Sequence, residues 1–305
     1  MKPQSILLKP MLWLGTLALL AFVDCAQAMI TCTPSAASFS TAYPMTGGAL
    51  NITAGSFTVT CSNASPVSST ATYQVSAGLG LNLTGGLRYA ITGTGTLNYN
   101  LTSDICNTVW NTTALIPTPP YTTPSLSKTG VPSDTHIIYF WGCVPAGLTV
   151  PAAGTYADSV ITTVTGSASS VMFQGKTGSI TVSITAPATC SLTAPGTMIF
   201  NYTSGSAIAA AASTTFNALC TNLLPYTLSL DAGGTGYTGS FTSPTGSYTN
   251  TATSLIYSLT LPTPTAGTGV AQTYTLTGSM AAGQGGKCNA GTCSVTDIHT
   301  LTVTY

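Results

Sequence analysis

Gly178-Ser179-Ile180-Thr181-Val182-Ser183-Ile184-Thr185 alternates small polar and β-branched apolar residues without a break. At a side-chain period of two, Ile180, Val182 and Ile184 share one face of an extended strand, and the hydroxyls share the other. A strand of this kind has to bury its apolar face against a sheet, and it lies past the middle of a 305-residue chain. The sequence on either side of it reads as two copies of one pattern.

In the first copy, Cys32, Phe39 and Cys61 are followed by Tyr73-Gln74-Val75-Ser76-Ala77-Gly78 and then by Leu97-Asn98-Tyr99-Asn100-Leu101. In the second, Cys190, Phe200 and Cys220 are followed by Tyr226-Thr227-Leu228-Ser229-Leu230-Asp231 and then by Leu255-Ile256-Tyr257-Ser258-Leu259. The copies close on Asp158 to Thr165 and on Asp297 to Tyr305, so Asp158 and Asp297 hold equivalent places before a last strand. Short alternating runs between Gly, Pro and Asn turns predict antiparallel sandwiches. The soft segment Ser167-Ala168-Ser169-Ser170 places the division after Gly166, giving a first domain over 29–166, a linker over 167–178 and a second domain over 179–305.

Composition narrows the function. Only 4% of residues are charged, six basic and six acidic, against roughly 25% in an ordinary soluble protein. Such a surface cannot neutralise a phosphate backbone, which excludes nucleic acid as a partner. Glu is absent, and neither G-x-S-x-G nor paired carboxylates occur, so no enzyme is expected. No cofactor or metal is expected either: there is no CxxC pair, and His136 and His299 lack ligand-spaced partners. Asp158 and Asp297 read as structural hydrogen-bonding groups, and the two histidines as surface or strand residues.

Lys2 and Lys9 precede the apolar run Met11 to Val23 and then Ala26-Gln27-Ala28, the signature of a signal peptide over residues 1–28. After its removal no stretch is long and apolar enough to span a membrane. Of the nine cysteines Cys25 leaves with the leader, and the others meet an oxidising compartment. The expected pairing is sequential: Cys32–Cys61, Cys106–Cys143, Cys190–Cys220 and Cys288–Cys293, although spacing alone does not fix connectivity.

The two copies share their strands unequally. Only Met29, Ile30 and Thr31 precede Cys32 in the mature chain, whereas the strand around Val182 precedes Cys190. The first copy can borrow that strand; the second would be one strand short, with an apolar cleft and unpaired backbone groups. Ile180, Val182 and Ile184 therefore have two readings, an internal donor strand for the first domain or the opening strand of the second. Leu301, Val303 and Tyr305 alternate to the last residue and are the expected strand-pairing edge.

Here a resemblance becomes specific. Gly142-Cys143-Val144-Pro145-Ala146-Gly147, running through Val150 to Asp158, and Gly278-Ser279-Met280-Ala281-Ala282-Gly283-Gln284, leading to Asp297, resemble the spore coat protein U domain family. That is the pilin domain of Csu-type archaic chaperone–usher pili. Trp110 sits where the family has a tryptophan. The resemblance implies an all-β fold: two immunoglobulin-like antiparallel β-sandwich domains in tandem, the C-terminal one lacking a strand. It also implies partners: a periplasmic pilus chaperone, an outer-membrane usher, and a neighbouring pilin subunit that donates a strand. A mature chain too short at its N-terminus to donate is expected at the pilus tip, as a secreted adhesin that supports biofilm formation on an abiotic or host surface.

Adhesion is expected from apolar residues on turn-flanked loops: Leu79, Leu81 and Leu83; Leu115, Ile116 and Tyr121; Leu148 and Val150. The competing reading folds them inward as hairpin core. Tyr139 and Trp141 are expected in the core. The rival functions are a secreted coat or fibre protein without specific adhesion, and a glycan-binding lectin using Trp110, Tyr121 and Trp141.

Overall fold

A computed structural model describes residues 28–43, 50–93, 95–145, 149–287 and 294–305. The expected signal peptide up to residue 27, Leu148 and the expected Cys288–Cys293 pair lie outside the described residues, as does the side chain of Leu83. All regular structure among the described residues is β-strand.

The first body comprises β1 (Met29–Pro34), β2 (Ala37–Ala42), β3 (Asn51–Asn63), β4 (Ala71–Ala77), β5 (Leu83–Thr84), β6 (Leu87–Thr92), β7 (Gly95–Thr102), β8 (Ile116–Thr122), β9 (Ser133–Val144), β10 (Gly154–Ala168), β11 (Met172–Gly175) and β12 (Thr177–Ala186). One layer runs β11-β1-β3-β9-β7 and the other β2-β12-β10-β4-β8, joined along one side by the β6–β7 hairpin. Alternation decides what faces inward. Ala71, Tyr73, Val75 and Ala77 of β4 are buried while their neighbours are not. Tyr156, Val160 and Val164 of β10 meet the same core.

β12 lies inside this layer. It runs antiparallel to β10, with Tyr156 opposite Ile184, Asp158 opposite Val182 and Val160 opposite Ile180. Its other edge pairs in parallel with β2, from Ile180 opposite Ala37 to Thr185 opposite Ala42. Ile180, Val182 and Ile184 are fully buried in the first core.

The division of the chain differs from the expected one. The first buried cluster extends to Ala186, and residues 167–178 hold the end of β10, β11 and the start of β12 rather than a linker. The small residues there serve close packing. A side chain at Gly166 would run into the Thr72 carbonyl, and one at Gly175 into the Val164 carbonyl.

The second body comprises β13 (Cys190–Leu192), β14 (Ala210–Cys220), β15 (Thr227–Leu230), β16 (Gly233–Gly234), β17 (Tyr237–Thr242), β18 (Thr245–Asn250), β19 (Ile256–Thr260), β20 (Gln272–Met280) and β21 (Leu301–Thr304). One sheet runs β13-β14-β20-β19-β18-β17-β16; β15 and β21 form a separate pair opposite it. The core gathers Phe216, Leu228, Tyr237, Tyr248, Leu259, Leu261 and Leu276. The structure pairs Cys32 with Cys61, Cys106 with Cys143 and Cys190 with Cys220. These bonds tie β1 to β3, the segment after β7 to the end of β9, and β13 to β14.

Replacing Gly175 with Val forces β11 off the β10 backbone. Chemical unfolding of this variant should read about 1–3 kcal/mol less stable than the parent, the usual cost of overpacking.

Candidate functional site: an unpaired strand edge and the groove beside it

The final strands of the two bodies are equivalent in register, Val164 opposite Val75 and Val303 opposite Leu228. Their second edges are not. β10 is flanked by β4 and β12, whereas β21 pairs with β15 alone among the described residues. A further difference follows from this one. Phe39 lies on β2, paired to β12 and buried; its counterpart Phe200 lies in residues 193–209, which form no strand. With no central strand to pair with, the segment that mirrors β2 has no ladder to join. Leu192, Met198, Phe200, Tyr202, Leu301 and Val303 are consequently only partly buried against the second core. Tyr305 is 55% exposed. Among the described residues the geometry is a half-open apolar groove bordered by a β21 edge with no ladder partner, the arrangement that an added strand satisfies.

A polar network anchors the residues that lead into β21. The Tyr257 hydroxyl donates to Asp297 Oδ2 at 2.8 Å and lies 2.7 Å from His299 Nε2, while His299 Nδ1 lies 2.8 Å from Asp231 Oδ1. Tyr237 donates to Asp231 Oδ2 at 2.8 Å, the Thr300 amide to the same oxygen at 2.7 Å, and Asn250 Nδ2 to Asp297 Oδ1 at 2.7 Å. Burial pushes the pKa of the Asp231 carboxyl up, but the Thr300 amide, Tyr237 and His299 outweigh it and hold the carboxyl below its ordinary value. Burial, with Asp297 beside it, pushes the Tyr257 phenol far up, so it keeps its proton. His299, expected on the surface or simply in a strand, has a side chain only 12% exposed, with both ring nitrogens in hydrogen-bonding contact.

The first body has a counterpart. Tyr99 donates to Asp158 Oδ2 at 2.6 Å, and Arg88 pairs across the strands from Tyr99 as Tyr248 pairs from Tyr257. Arg88 is buried. Its Nη2 donates to the carbonyls of Gly78 and Trp110, both at 2.6 Å. Burial lowers its pKa, against the pull of Tyr99 and Asp158. Asp158 also positions a loop. The Leu81 amide donates to Oδ1 at 2.9 Å and Asn82 Nδ2 at 3.2 Å, and Gly80, at φ +88°, has no room for a side chain beside Oδ2.

The proposed apolar-loop residues do not form one surface. Leu81 stands out at 72% exposed, and Leu79 and Leu115 are half-buried. Two need correction. Ile116 is buried in the first core because it pairs with Val75 on β8. Val150 is buried because its loop turns toward the second body, where its amide donates to the Gly269 carbonyl at 3.1 Å. Tyr121 is half-buried, its ring stacked 3.8 Å from His136 and its hydroxyl donating to Asp134 at 2.9 Å. Trp110 is wholly buried, stacked on Phe57 with Nε1 donating to the Val75 carbonyl at 2.9 Å, which removes it from any binding surface.

Tyr139 and Trp141 overturn the core expectation. Ile138 and Phe140 take the inward positions of β9, so their neighbours face out: Tyr139 is 63% exposed and Trp141 half-buried. With Ile137 and Ile52 they make an apolar outer face that the sequence reading missed. The parity of β9 was the missing signal, because apolar residues occupy both of its faces. Among the described residues, no group of three or more His, Cys and Asp could hold a metal, and no helix is long and apolar enough to cross a membrane.

The fold thus defines a tandem of immunoglobulin-like β-sandwiches, the second with an edge of β21 unpaired among the described residues. Residues 17–163 match the model of the Spore Coat Protein U domain, the family that the sequence resembles. No curated protein matches the chain. Among solved structures, one similar chain comes from the CsuC–CsuE chaperone–tip adhesion subunit pre-assembly complex of the archaic chaperone–usher Csu pili of Acinetobacter baumannii. It is 15% identical, the match covers 91% of this chain and 100% of that one, and the TM-score is 0.46. Another is the CupB6 tip adhesin of Pseudomonas aeruginosa, 9% identical over 91% of this chain and 95% of that one, with a TM-score of 0.36.

Replacing Asp158 with Asn leaves the volume and removes the charge that Tyr99, Leu81 and Asn82 hydrogen-bond. The variant should lose about 1–3 kcal/mol in urea unfolding, and amides 79–82 should exchange faster than those of β4.

Proposed function

We propose that this chain is a subunit of a chaperone–usher pilus. Its first domain is closed in cis by β12, and its second takes a strand from a partner along β21. The partner is a periplasmic chaperone before assembly at the outer-membrane usher, and a neighbouring pilin subunit in the fibre. The one observation that carries this reading is the contrast between β10, flanked on both edges, and β21, paired on one edge among the described residues. The Spore Coat Protein U match over residues 17–163 supports it from the side of sequence. The role is one of binding and assembly: strand exchange satisfies backbone groups and buries side chains, and no reaction is involved.

Within the pilus we place the chain at the tip, exposed at the cell surface, as an adhesin that supports attachment and biofilm formation. The loop carrying Leu81, held outward by Asp158, is the contact element that the geometry favours. Burying one leucine is worth about 1.5–3 kcal/mol, so attachment depends on many fibres acting together.

Two experiments test these roles. A fragment of residues 29–186 should fold cooperatively, while 29–166, which lacks β12, should remain unfolded or aggregate; a folded 29–166 fragment sinks the cis-donor role. Leu81→Thr should reduce attachment of piliated cells to polystyrene about tenfold or more, given the burial energy above, without changing pilus number by immunoblot. Unaltered attachment removes that loop from the adhesive surface.

A further inference from the structure

The segments that carry Phe39 and Phe200 start from the same footing. Phe39 lies against Gly142 on β9 and Phe200 against Gly278 on β20, and at either glycine a Cβ would run into the ring. Each also packs beside a tyrosine, Phe39 with Tyr99 at a centroid distance of 6.4 Å and Phe200 with Tyr257 at 6.0 Å. Two residues further on, the bodies part. In the first, Thr41 is held by the ladder between β2 and β12, opposite Ile184. Counting from Phe200, its counterpart is Tyr202, in a segment that forms no strand.

Side chains take over there. The Tyr202 hydroxyl accepts from the Gln284 amide at 2.7 Å and donates to the Gln284 carbonyl at 3.2 Å. The Gly205 amide donates to the same carbonyl at 2.8 Å, and the Gly283 amide to the Ser206 carbonyl at 2.7 Å. Gln284 is itself fixed. The ladder between β19 and β20 ends with Tyr257 opposite Met280, and the Gln284 carboxamide continues it. Its Oε1 accepts from the Ile256 amide at 2.6 Å, and its Nε2 donates to the Ile256 carbonyl at 2.8 Å. Counting from Gly142 and Gly278, Leu148 stands at the matching place in the first copy, and a leucine side chain can make neither bond.

We propose that Tyr202 and Gln284 are positioning residues for strand acceptance. They latch residues 198–206 to the end of β19, so that this wall of the groove stands in place before a strand arrives. In the first body Val182 lies opposite both Phe39 and Asp158. A strand entering the second groove in that register meets Phe200 on one side and Asp297 on the other. A wall already in place does not have to be ordered by the incoming strand, which is the benefit of preorganisation. The latch itself rests on these contacts; its consequence for assembly rests on the proposed acceptor role.

Two measurements on the full chain test this. Hydrogen exchange followed by NMR at the Gly205 and Gly283 amides reports whether the two segments stay joined. Tyr202→Phe keeps the ring and loses both hydroxyl bonds, and exchange at these amides should rise about tenfold. Gln284→Met, similar in length but without the carboxamide, is an independent variant and should do the same. The Tyr43 amide of the first body, bonded to the Thr185 carbonyl, should not change in either protein. Unchanged exchange at Gly205 and Gly283 in either variant overturns the latch. Acceptance is measured with a labelled synthetic peptide that has the sequence of residues 177–186. Because only chains with the wall in place can take the strand, both variants should lower its association rate about tenfold and leave its dissociation rate unaltered. Faster dissociation with unchanged association overturns the positioning role. If exchange rises as described but the peptide binds neither the wild type nor the variants, the latch stands and the acceptor role fails.

Discussion

A β-strand inside a sheet satisfies backbone groups on both of its edges, and an immunoglobulin-like sandwich closes only when every central strand has two neighbours. The first body meets this condition through β12. Wedged between β10 and β2, it completes two ladders at once and sends Ile180, Val182 and Ile184 into the core. The burial of Phe39, the order of β2 and the pairing of β10 all depend on that one insertion. The second body repeats the scaffold without an equivalent insertion among its described residues, and it differs where dependence on β12 predicts: at Phe200, at residues 193–209 and along β21.

The last strand of each body follows or contains an aspartate bound to a buried tyrosine, and a nitrogen-bearing side chain lies beside that tyrosine, Arg88 in one body and His299 in the other. Arg88 spends its protons on the backbone carbonyls of Gly78, Leu101 and Trp110, fastening a loop and the segment after Cys106 to β6. His299 spends its nitrogens on side chains. In a chain with so few charges, these groups are concentrated where strands must be tied to loops rather than spread over the surface.

Much of the fold was legible because a period of two is hard to disguise. β4 and β12 announce their buried faces residue by residue, and the repeat exposed the unequal share of strands. Three features were not legible, each for a physical reason. Ser167 to Ser170 has the composition of a linker, yet small residues also suit a backbone crossing at contact distance, as Gly166 and Gly175 show. Tyr139 and Trp141 could not be assigned to a face, because Ile138 and Phe140 are equally apolar and only the pairing of β9 with β3 fixes the parity. The cluster around His299 joins Asp231, Tyr257 and Asp297, which are far apart in sequence and share no spacing. Only the matching places of Asp158 and Asp297, each before a last strand, hinted that something was built there.

The position of β12 also decides how the first body bears a load. Any pull passed to it through the backbone from the second body arrives at Ala186, along the axis of a strand whose hydrogen bonds lie across that axis on both sides. Such bonds share the tension and resist in shear; they do not open one after another like a zipper. A domain finished by its own tether is thereby strongest along the line in which a fibre would tug on it.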